Sequence, residues 1–317
     1  MKALIAFDRW WFASMPPERL ATLRVIVGGF AWLYLAVRGV HLTGYAQFPA
    51  RNFAPVGVTS WLVAPLSPAL VYFIYAVTLL AGFAFVAGAR FRFSGPLFAA
   101  GFLWVTTYRN SWGMIFHTDN LVALHLGALA FAPAAMAWSY DARGRQPPKP
   151  AGCFGWPVRT LCCITIVSYV LAGVAKVRNA GWEWSEGGVL REHVAFDALR
   201  KIELGSFHSP VGVWLVEYEW PFHVLGLLTL VLELGAPLAL LNRRVRTAWV
   251  LGVWSFHLGV IALMAITFAY PVTGAAFASF FAVERLWSHP RAQRLVPWFS
   301  RFQPKRERRE IEPTPPP

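Results

Sequence analysis

Several apolar runs of about 20 residues limit what this chain can fold into more than any other feature of its sequence. A helix of that length rises roughly 30 Å, which is the thickness of the hydrocarbon core of a bilayer. A surface helix of a soluble protein needs a polar face instead. We therefore predict an all-α integral membrane protein, a bundle of about eight transmembrane helices. The predicted spans are residues 20–40, 68–88, 93–109, 117–138, 157–177, 220–241, 246–269 and 271–286.

The composition agrees with a membrane protein and argues against two other classes. Hydrophobic residues make up 56% of the chain and charged residues only 14%, whereas soluble domains carry about 25% charged residues. The net charge of +13 comes from short arginine clusters between apolar runs. That pattern sets membrane topology, so we expect no nucleic-acid partner. The three cysteines form neither a disulfide framework nor a Cys/His cluster, so we expect no metal.

Arginine clusters occur in every second connection between the predicted spans. They occupy segments 9–24, 90–92, 143–159 and 243–246 and the tail after Arg285. Because basic connections stay on the cytoplasmic side, we expect both termini there, in the bacterial inner membrane with the lipid bilayer as surroundings. No small-residue cleavage site follows the first apolar residues, so we expect no signal peptide. The predicted boundaries are a cytoplasmic segment at 1–15, a membrane domain at 16–288 and a disordered basic tail at 289–317.

The same topology collects polar residues at the outer end of the spans. Arg109 closes the third span, and His117, Asp119 and Asn120 open the fourth. Polar residues of these types before an apolar run are good N-caps, and a carboxylate suits a helix N-terminus. Capping does not account for His117 beside Asp119 and Asn120. Capping alone and capping combined with a functional site therefore remain equally open.

Lys176 ends the fifth predicted span and is one of five lysines, against 24 arginines. A lysine at a helix end usually extends its ammonium to the membrane interface and has no further role. A desolvated ammonium can also lose its proton and act as a base, which a guanidinium cannot do. Both interpretations are open, and the second makes Lys176 the candidate general base.

Two ionisable residues interrupt the sixth and seventh spans. Glu233 and His257 each lie 12 residues from a turn centred near residue 245. Equal offsets in antiparallel helices mean equal depth, so we expect these two to pair, because an ionisable group in hydrocarbon needs a partner. The pair either holds the hairpin together or supports catalysis. His125, in the fourth span, is expected to be a hydrogen-bonded core histidine.

The long outward connection from residue 178 to 219 contains Trp182, a glycine pair and a segment at 189–201 with apolar residues at helical spacing. Charged residues lie between them, so we predict an amphipathic helix on the outer interface. Such a helix is by default a structural lid, and gating of a site beneath it is the alternative.

Several stretches together resemble the HTTM (horizontally transferred transmembrane) domain family, and the similarity covers residues 15–288. The stretches are Pro17 to Arg24, Trp112 to Asp119, Ala172 to Lys176 with Gly181 and Trp182, and Glu233 to Leu238 with Arg243, Arg244 and Phe256 to Leu258. The family includes the membrane region of vitamin K-dependent gamma-carboxylase. Lys176 is similar in position to the lysine that deprotonates vitamin K hydroquinone there, and Ala175 departs from that enzyme's lysine pair.

The resemblance implies a membrane enzyme, carboxylase-like and quinol-linked, that modifies a peptide or small substrate at the outer face. Reduced vitamin K or another quinol would be the cofactor, with oxygen and carbon dioxide as co-substrates. The alternative is a non-enzymatic accessory protein that assists maturation or export of a secreted peptide. The implied catalytic residues are Lys176, His117 and Asp119, and the implied cofactor-binding residues are Asn120, Arg109, Trp182, Glu233 and His257.

Overall fold

The computed structural model describes residues 1–113, 115–116 and 118–288, and its regular structure over that range is entirely helical. The predicted tail at 289–317 lies outside the described residues. The α-helices are α1 (Lys2–Trp11), α2 (Pro17–Val37), α3 (Gly39–Thr43), α4 (Pro68–Ala87), α5 (Phe91–Asn110), α6 (Thr118–Ala130), α7 (Gly152–Ala180), α8 (Gly188–Glu203), α9 (Pro210–Leu215), α10 (Trp220–Leu234), α11 (Arg243–Met264), α12 (Ala269–Val272) and α13 (Arg285–Ser288). Short 3-10 helices lie at Gly44–Gln47, Ala50–Asn52, Gly57–Thr59, Gly181–Trp184, Ala236–Leu240 and Ala275–Phe280.

Four helices of the described chain are long and apolar enough to cross a membrane. They are α2, α4, α11 and α7 together with the 3-10 turn that follows it, a unit that runs from Gly152 to Trp184. Each coincides with a predicted span, so the first, second, fifth and seventh predictions are supported by length and composition. The chain is thus an integral membrane protein with a helical membrane region.

The count of eight spans is not confirmed. Helix α5 has 20 residues but carries more polar side chains, α6 has 13 residues, and α10 has 15. The last predicted span, 271–286, is wrong as a continuous helix. Helix α12 ends before Gly274, which adopts a left-handed φ of 77°, and a 3-10 segment follows. A residue in that conformation breaks the helical path, and glycine adopts it without strain.

The arginine-rich connections meet at one end of the bundle, hereafter the arginine-rich end. Arg19 donates two hydrogen bonds to Glu284, with N–O distances of 2.9 and 2.7 Å. The carboxylate of Asp141 accepts from the backbone N–H of Phe91 at 2.8 Å. These contacts join the start of α2 to the last connection, and the α4–α5 turn to the segment after α6. The alternation of basic connections therefore predicted correctly which segments share an end.

Arg24 is fully buried near the arginine-rich end, although the sequence places it with the topology-setting charges. Its Nη1 donates to the carbonyl of Ala134 at 2.8 Å, and its Nη2 donates to that of Trp138 at 2.6 Å. Gly88 lies directly beside the guanidinium with a φ of 63°, and a Cβ at that position would lie 2.7 Å from Nη1. The absence of a side chain at Gly88 thus leaves room for the buried cation.

The predicted amphipathic helix at 189–201 is confirmed as α8, which lies at the opposite end of the bundle. Lys201 donates to the carbonyl of Met264 at the end of α11, whose first residue, Arg243, belongs to the arginine-rich end. Val194 and Ala198 of α8 are buried against the protein, whereas its exposed large hydrophobic residues are Phe196, Leu199 and Ile202. Helix α8 therefore has one face packed on the bundle and another face that exposes hydrophobic side chains.

Candidate functional site

Lys176 and Glu233 form an ion pair between α7 and α10. The Nζ of Lys176 lies 2.6 and 2.7 Å from the two carboxylate oxygens of Glu233. The side chain of Glu233 is buried, and that of Lys176 is 19% exposed. Because Gly173 lies one turn before Lys176 and faces Glu233 and Leu234, the two helices approach closely at the pair. The ammonium is therefore held at the edge of the protein by a carboxylate inside it.

Trp184 covers the ammonium of Lys176 with its indole ring, whose centroid lies 5.1 Å from Nζ. A cation in this position is attracted by the ring quadrupole. The indole N–H donates to the hydroxyl of Thr229 at 2.9 Å, which fixes the ring on α10. The turn that carries Trp184 packs directly on α10, since a Cβ at Gly226 would lie 2.3 Å from the Trp184 carbonyl oxygen.

Tyr169 and His257 lie deeper in the same region. Tyr169 precedes Lys176 by two helical turns on α7, so the two side chains share a face about 10 Å apart along the axis. Its hydroxyl shares a hydrogen bond of 2.7 Å with Nε2 of His257. The rings of Trp249 and Phe277 pack around Tyr169. In the part of the chain that the structure describes, the buried Nδ1 of His257 has no hydrogen-bond partner.

A second charged cluster lies between α5 and α6. Nη2 of Arg109 donates to Oδ2 of Asp119 at 2.6 Å, and the two side chains are only 1% and 6% exposed. The guanidinium stacks on the ring of Phe116, 4.1 Å from the ring centroid. Among the described residues, Nε and Nη1 of Arg109 lack hydrogen-bond partners. Asn110 fixes the backbone of Phe116 by bonding both its N–H and its carbonyl.

The end of α2 supplies further groups to this cluster. Tyr34 and Arg38 both lie near enough to Asp119 to act on its carboxylate electrostatically. Burial, followed by the positive charges of Arg38 and Arg109, lowers the pKa of His41 just beyond α2. His41 is therefore neutral near pH 7, and the two cations of this cluster, Arg38 and Arg109, share a single described carboxylate, Asp119.

A cleft of about 430 Å³ opens beside the turn that carries Trp184. Its walls come from that turn, the start of α8 and the start of α10. Four glutamates and one arginine line it, so it is acidic overall. Its charged and titratable lining residues are Glu183, Glu186, Arg191, Glu192, Glu219 and His223. No group of three or more His, Cys, Asp or Glu side chains in the described segments is arranged to hold a metal ion.

The family model of the HTTM domain matches residues 12–285, which is most of the chain. The chain belongs to the HTTM domain family. No curated protein and no solved structure matches it.

The predicted site residues of this HTTM domain fall into two groups. Lys176 and Glu233 form one, and Arg109 and Asp119 form the other. In the described part of the domain, no hydrogen bond or ion pair joins the two groups. Asn120 is exposed at the start of α6, and His117 lies outside the described residues. The expected single outer-face constellation is therefore divided between the α7–α10 and α5–α6 contacts.

The expected pairing of Glu233 with His257 is wrong, because both residues bond to α7 instead. Glu233 accepts from Lys176, and His257 bonds Tyr169 two turns away. Helix α10 ends at Leu234 and continues as a 3-10 helix, so the hairpin lacks the regular geometry from which equal depth was predicted. His125 is confirmed as a hydrogen-bonded core histidine. Its two ring nitrogens contact the hydroxyls of Tyr270 and Thr165.

Several residues around Lys176 in the HTTM domain were not predicted from the sequence. Trp184, which covers Lys176, was not among the predicted site residues; Trp182, which is 74% exposed, stays a predicted cofactor-binding residue. Tyr169 could have been predicted to lie on the same helix face as Lys176, because it precedes Lys176 by seven residues. The contact of Thr229 with Trp184 could not have been predicted, because a threonine in an apolar helix usually bonds its own backbone.

Proposed function

We propose that this HTTM-family protein is a membrane enzyme that uses Lys176 and Glu233 as a base at the end of the bundle opposite the arginine-rich end. In this proposal it draws on a quinol to modify a peptide or small substrate. The observation that carries the proposal is the Lys176–Glu233 ion pair, which is half-enclosed by Trp184. Ion-paired lysines are common at helix ends. A lysine whose ammonium is oriented by a buried carboxylate and an aromatic ring, as in Lys176, is arranged for proton transfer.

The pair can hold a proton in two places. Nζ lies 2.6 Å from Oε1, which is a hydrogen-bond distance along which the proton can move from the ammonium to the carboxylate. A medium of low dielectric penalises two separate charges, so it brings the neutral pair closer in energy to the ion pair. In the neutral state the amine of Lys176 has a free electron pair for a substrate proton. Arg178, two residues on, cannot replace it, because a guanidinium stays protonated.

A quinol suits the groups that lie about two helical turns below this pair, around Tyr169. Its ring needs an apolar, aromatic environment, and its oxygens need hydrogen-bond partners. Tyr169, Trp249 and Phe277 supply rings, and the Nδ1 of His257, which has no partner among the described residues, supplies one polar atom. When bound, a quinol would supply electrons and an acidic hydroxyl. Oxygen and carbon dioxide as co-substrates belong to the proposal through the family relationship to the gamma-carboxylase.

The negative charge of the acidic cleft beside Trp184 favours some classes of substrate over others. Four glutamates repel an anion and attract a cation, and exposed charges of this kind act mainly on approach and orientation. A neutral or basic peptide segment, or a small amine, therefore suits this entrance better than an acidic peptide does. Carboxylation of glutamate residues in an acidic peptide is disfavoured, because the glutamates of the cleft repel such a substrate.

The proposal is tested with the purified protein in detergent, by quinol binding and by oxygen- and bicarbonate-dependent activity on lipid-phase and peptide extracts. Lys176→Met is expected to lower activity by about a hundredfold or more, the usual range for loss of a general base. Lys201→Met is the matched control, because Lys201 is also an ion-paired lysine at this end, with 14% of its side chain exposed. Equal activity in the two variants would remove Lys176 from the mechanism.

A non-enzymatic accessory role is the second candidate, and the same ion pair favours it. The Lys176–Glu233 contact fastens α7 to α10 and fixes the turn that borders the acidic cleft, which is sufficient for a partner-binding surface. In that case Lys176→Met weakens the fold or a partner complex but abolishes no enzymatic activity. A stable complex with a secreted peptide, insensitive to quinol, would favour this role over the enzymatic one.

A further inference from the structure

We propose that a cleft at the arginine-rich end binds the phosphate headgroup of an anionic phospholipid. The cleft has a volume of about 410 Å³ and lies between the start of α2, the start of α11 and the segment before α13. Four arginines and two phenylalanines form most of its lining. These lining residues are Arg19, Arg243, Arg246, Arg285, Phe280 and Phe281. The inference is independent of the function proposed for Lys176, which lies at the other end.

Among the residues that the structure describes, the positive charges of the cleft outnumber the negative ones. Glu284 accepts both of its side-chain hydrogen bonds from Arg19. Burial raises the pKa of Glu284, but the bond from Arg19 and the charges of Arg19 and Arg285 outweigh it and leave the pKa below its usual value. This carboxylate is therefore ionised near pH 7 and is directed at Arg19. Arg243 and Arg246 add further positive charge on the other wall.

Arg246 is held in position by the protein, which makes the cleft partly preformed. Its Nη1 donates to the carbonyl of Phe280 at 3.2 Å, and its Nε donates to that of Ala239 at 3.4 Å. Carbonyl acceptors orient the guanidinium and leave its charge in place. Arg243, the first residue of α11, is exposed, and the positive end of that helix's dipole adds to the attraction for an anion.

The position of the cleft favours a lipid over a free phosphate ion. Helices α2 and α11 are both long enough to cross the bilayer, and both begin at this cleft, which is the level of lipid headgroups. Phe281 is 37% exposed, and Leu241 beside the start of α11 is 69% exposed, so apolar surface for acyl chains adjoins the cations. A soluble phosphate would gain nothing from that surface. Basic pockets between membrane helices are known to bind anionic headgroups in this way.

The test uses the full chain in bilayer nanodiscs of phosphatidylcholine with and without phosphatidylglycerol, followed by native mass spectrometry of the lipids retained after gentle extraction. The wild-type protein is expected to retain phosphatidylglycerol selectively. Arg243→Gln is expected to weaken this retention about tenfold, the ratio that corresponds to the loss of one hydrogen bond between charged groups in the cleft. Arg243 is exposed and its side chain forms no ion pair among the described residues, so the variant should fold normally.

Arg244→Gln is the matched control, because it removes the neighbouring exposed charge, which does not line the cleft. It is expected to retain phosphatidylglycerol as the wild type does. Equal losses in the two variants would overturn the proposal, since they would indicate general attraction to a basic surface. Displacement of the lipid by an excess of inorganic phosphate would also overturn it, in favour of a free-phosphate site.

Discussion

Arg109 keeps its charge inside the protein with a single described carboxylate as its ion-pair partner. The pair with Asp119 is almost completely buried, and the remaining guanidinium nitrogens Nε and Nη1 make no hydrogen bond to described residues. A buried cation of this kind depends strongly on its counter-ion, because desolvation is offset only by the partner. At the scale of the residue, this ion pair is therefore the most sensitive point of the α5–α6 contact.

Asp119→Ala is expected to destabilise the protein by about 3–5 kcal/mol, because it leaves the charge of Arg109 buried and unpaired. Thermal unfolding in detergent measures the effect as a lower midpoint. The comparison variant is Glu219→Ala, which breaks the exposed pair with Arg191 and should cost about 1 kcal/mol or less. Similar midpoints for the two variants would show that the Arg109–Asp119 pair does not contribute as its burial implies.

The sequence alone indicated which ionisable residues enter buried ion pairs better than it indicated their partners. Lys176, Glu233, Arg109 and Asp119 stand out because ionisable residues are rare in apolar runs. Their pairing depends on which helices pack together, and no local pattern contains that information. Trp184 illustrates the limit, since nothing in the sequence distinguishes it from Trp182 as the ring above Lys176.

At the scale of the element, the 3-10 turn Gly181–Trp184 depends on a glycine of α10. A Cβ at Gly226 would lie 2.3 Å from the backbone oxygen of Trp184, and backbone cannot rotate away as a side chain can. The turn is thus seated on α10 by direct contact of main chains. Its position, and with it the ring over Lys176, follows from the absence of a side chain at Gly226.

Gly226→Ala is expected to displace this turn, at a cost of about 1–3 kcal/mol typical of overpacking. The hydrogen bond from Trp184 to Thr229 should be lost, and the amine of Lys176 should become more reactive toward acylating reagents. The measurement is the labelling rate of Lys176 by mass spectrometry. Gly259→Ala is the control, because a Cβ added there in α11 would meet no described atom within 4 Å. Unchanged labelling in Gly226→Ala would contradict the proposed seating.

Helix positions were predictable where apolar runs are continuous and were not where the backbone changes type. Runs of about 20 apolar residues predicted the positions of α2, α4, α7 and α11, because the thickness of the hydrocarbon core sets the length of a membrane-spanning helix. The segment Ala236–Leu240 is equally apolar but forms a 3-10 helix. Five residues of that helix rise about 2.5 Å more than an α-helix does, which is one reason the depth argument for His257 failed.

At the scale of the whole molecule, the two ends of the bundle differ in charge and in content. The arginine-rich end holds the cleft lined by Arg243 and Arg246, and the opposite end holds the Lys176–Glu233 pair and the acidic cleft. Because basic connections are retained on the cytoplasmic side, we propose that the arginine-rich end and both termini face the cytoplasm. The candidate site then opens on the outer side.

Cysteine labelling in intact cells tests this orientation. After replacement of the natural cysteines by alanine, Glu217→Cys is expected to react with a membrane-impermeant maleimide. Arg145→Cys, in the connection after α6, should react only once the membrane is permeabilised. Arg145 is exposed and Glu217 lies at the surface beside the acidic cleft, so a difference in labelling reports the side of the membrane and not burial. The reverse pattern would place the candidate site in the cytoplasm.

The burial of Arg24 has a consequence for how the protein is made. Its two carbonyl acceptors follow it in the chain by 110 and 114 residues. While the ribosome is still synthesising α4 and α5, helix α2 therefore carries a cation whose final partners do not yet exist. The buried contacts of this guanidinium can therefore form only after the segment that follows α6 has been made. Packing of α2 in its final environment thus depends on a segment that is made more than 100 residues later.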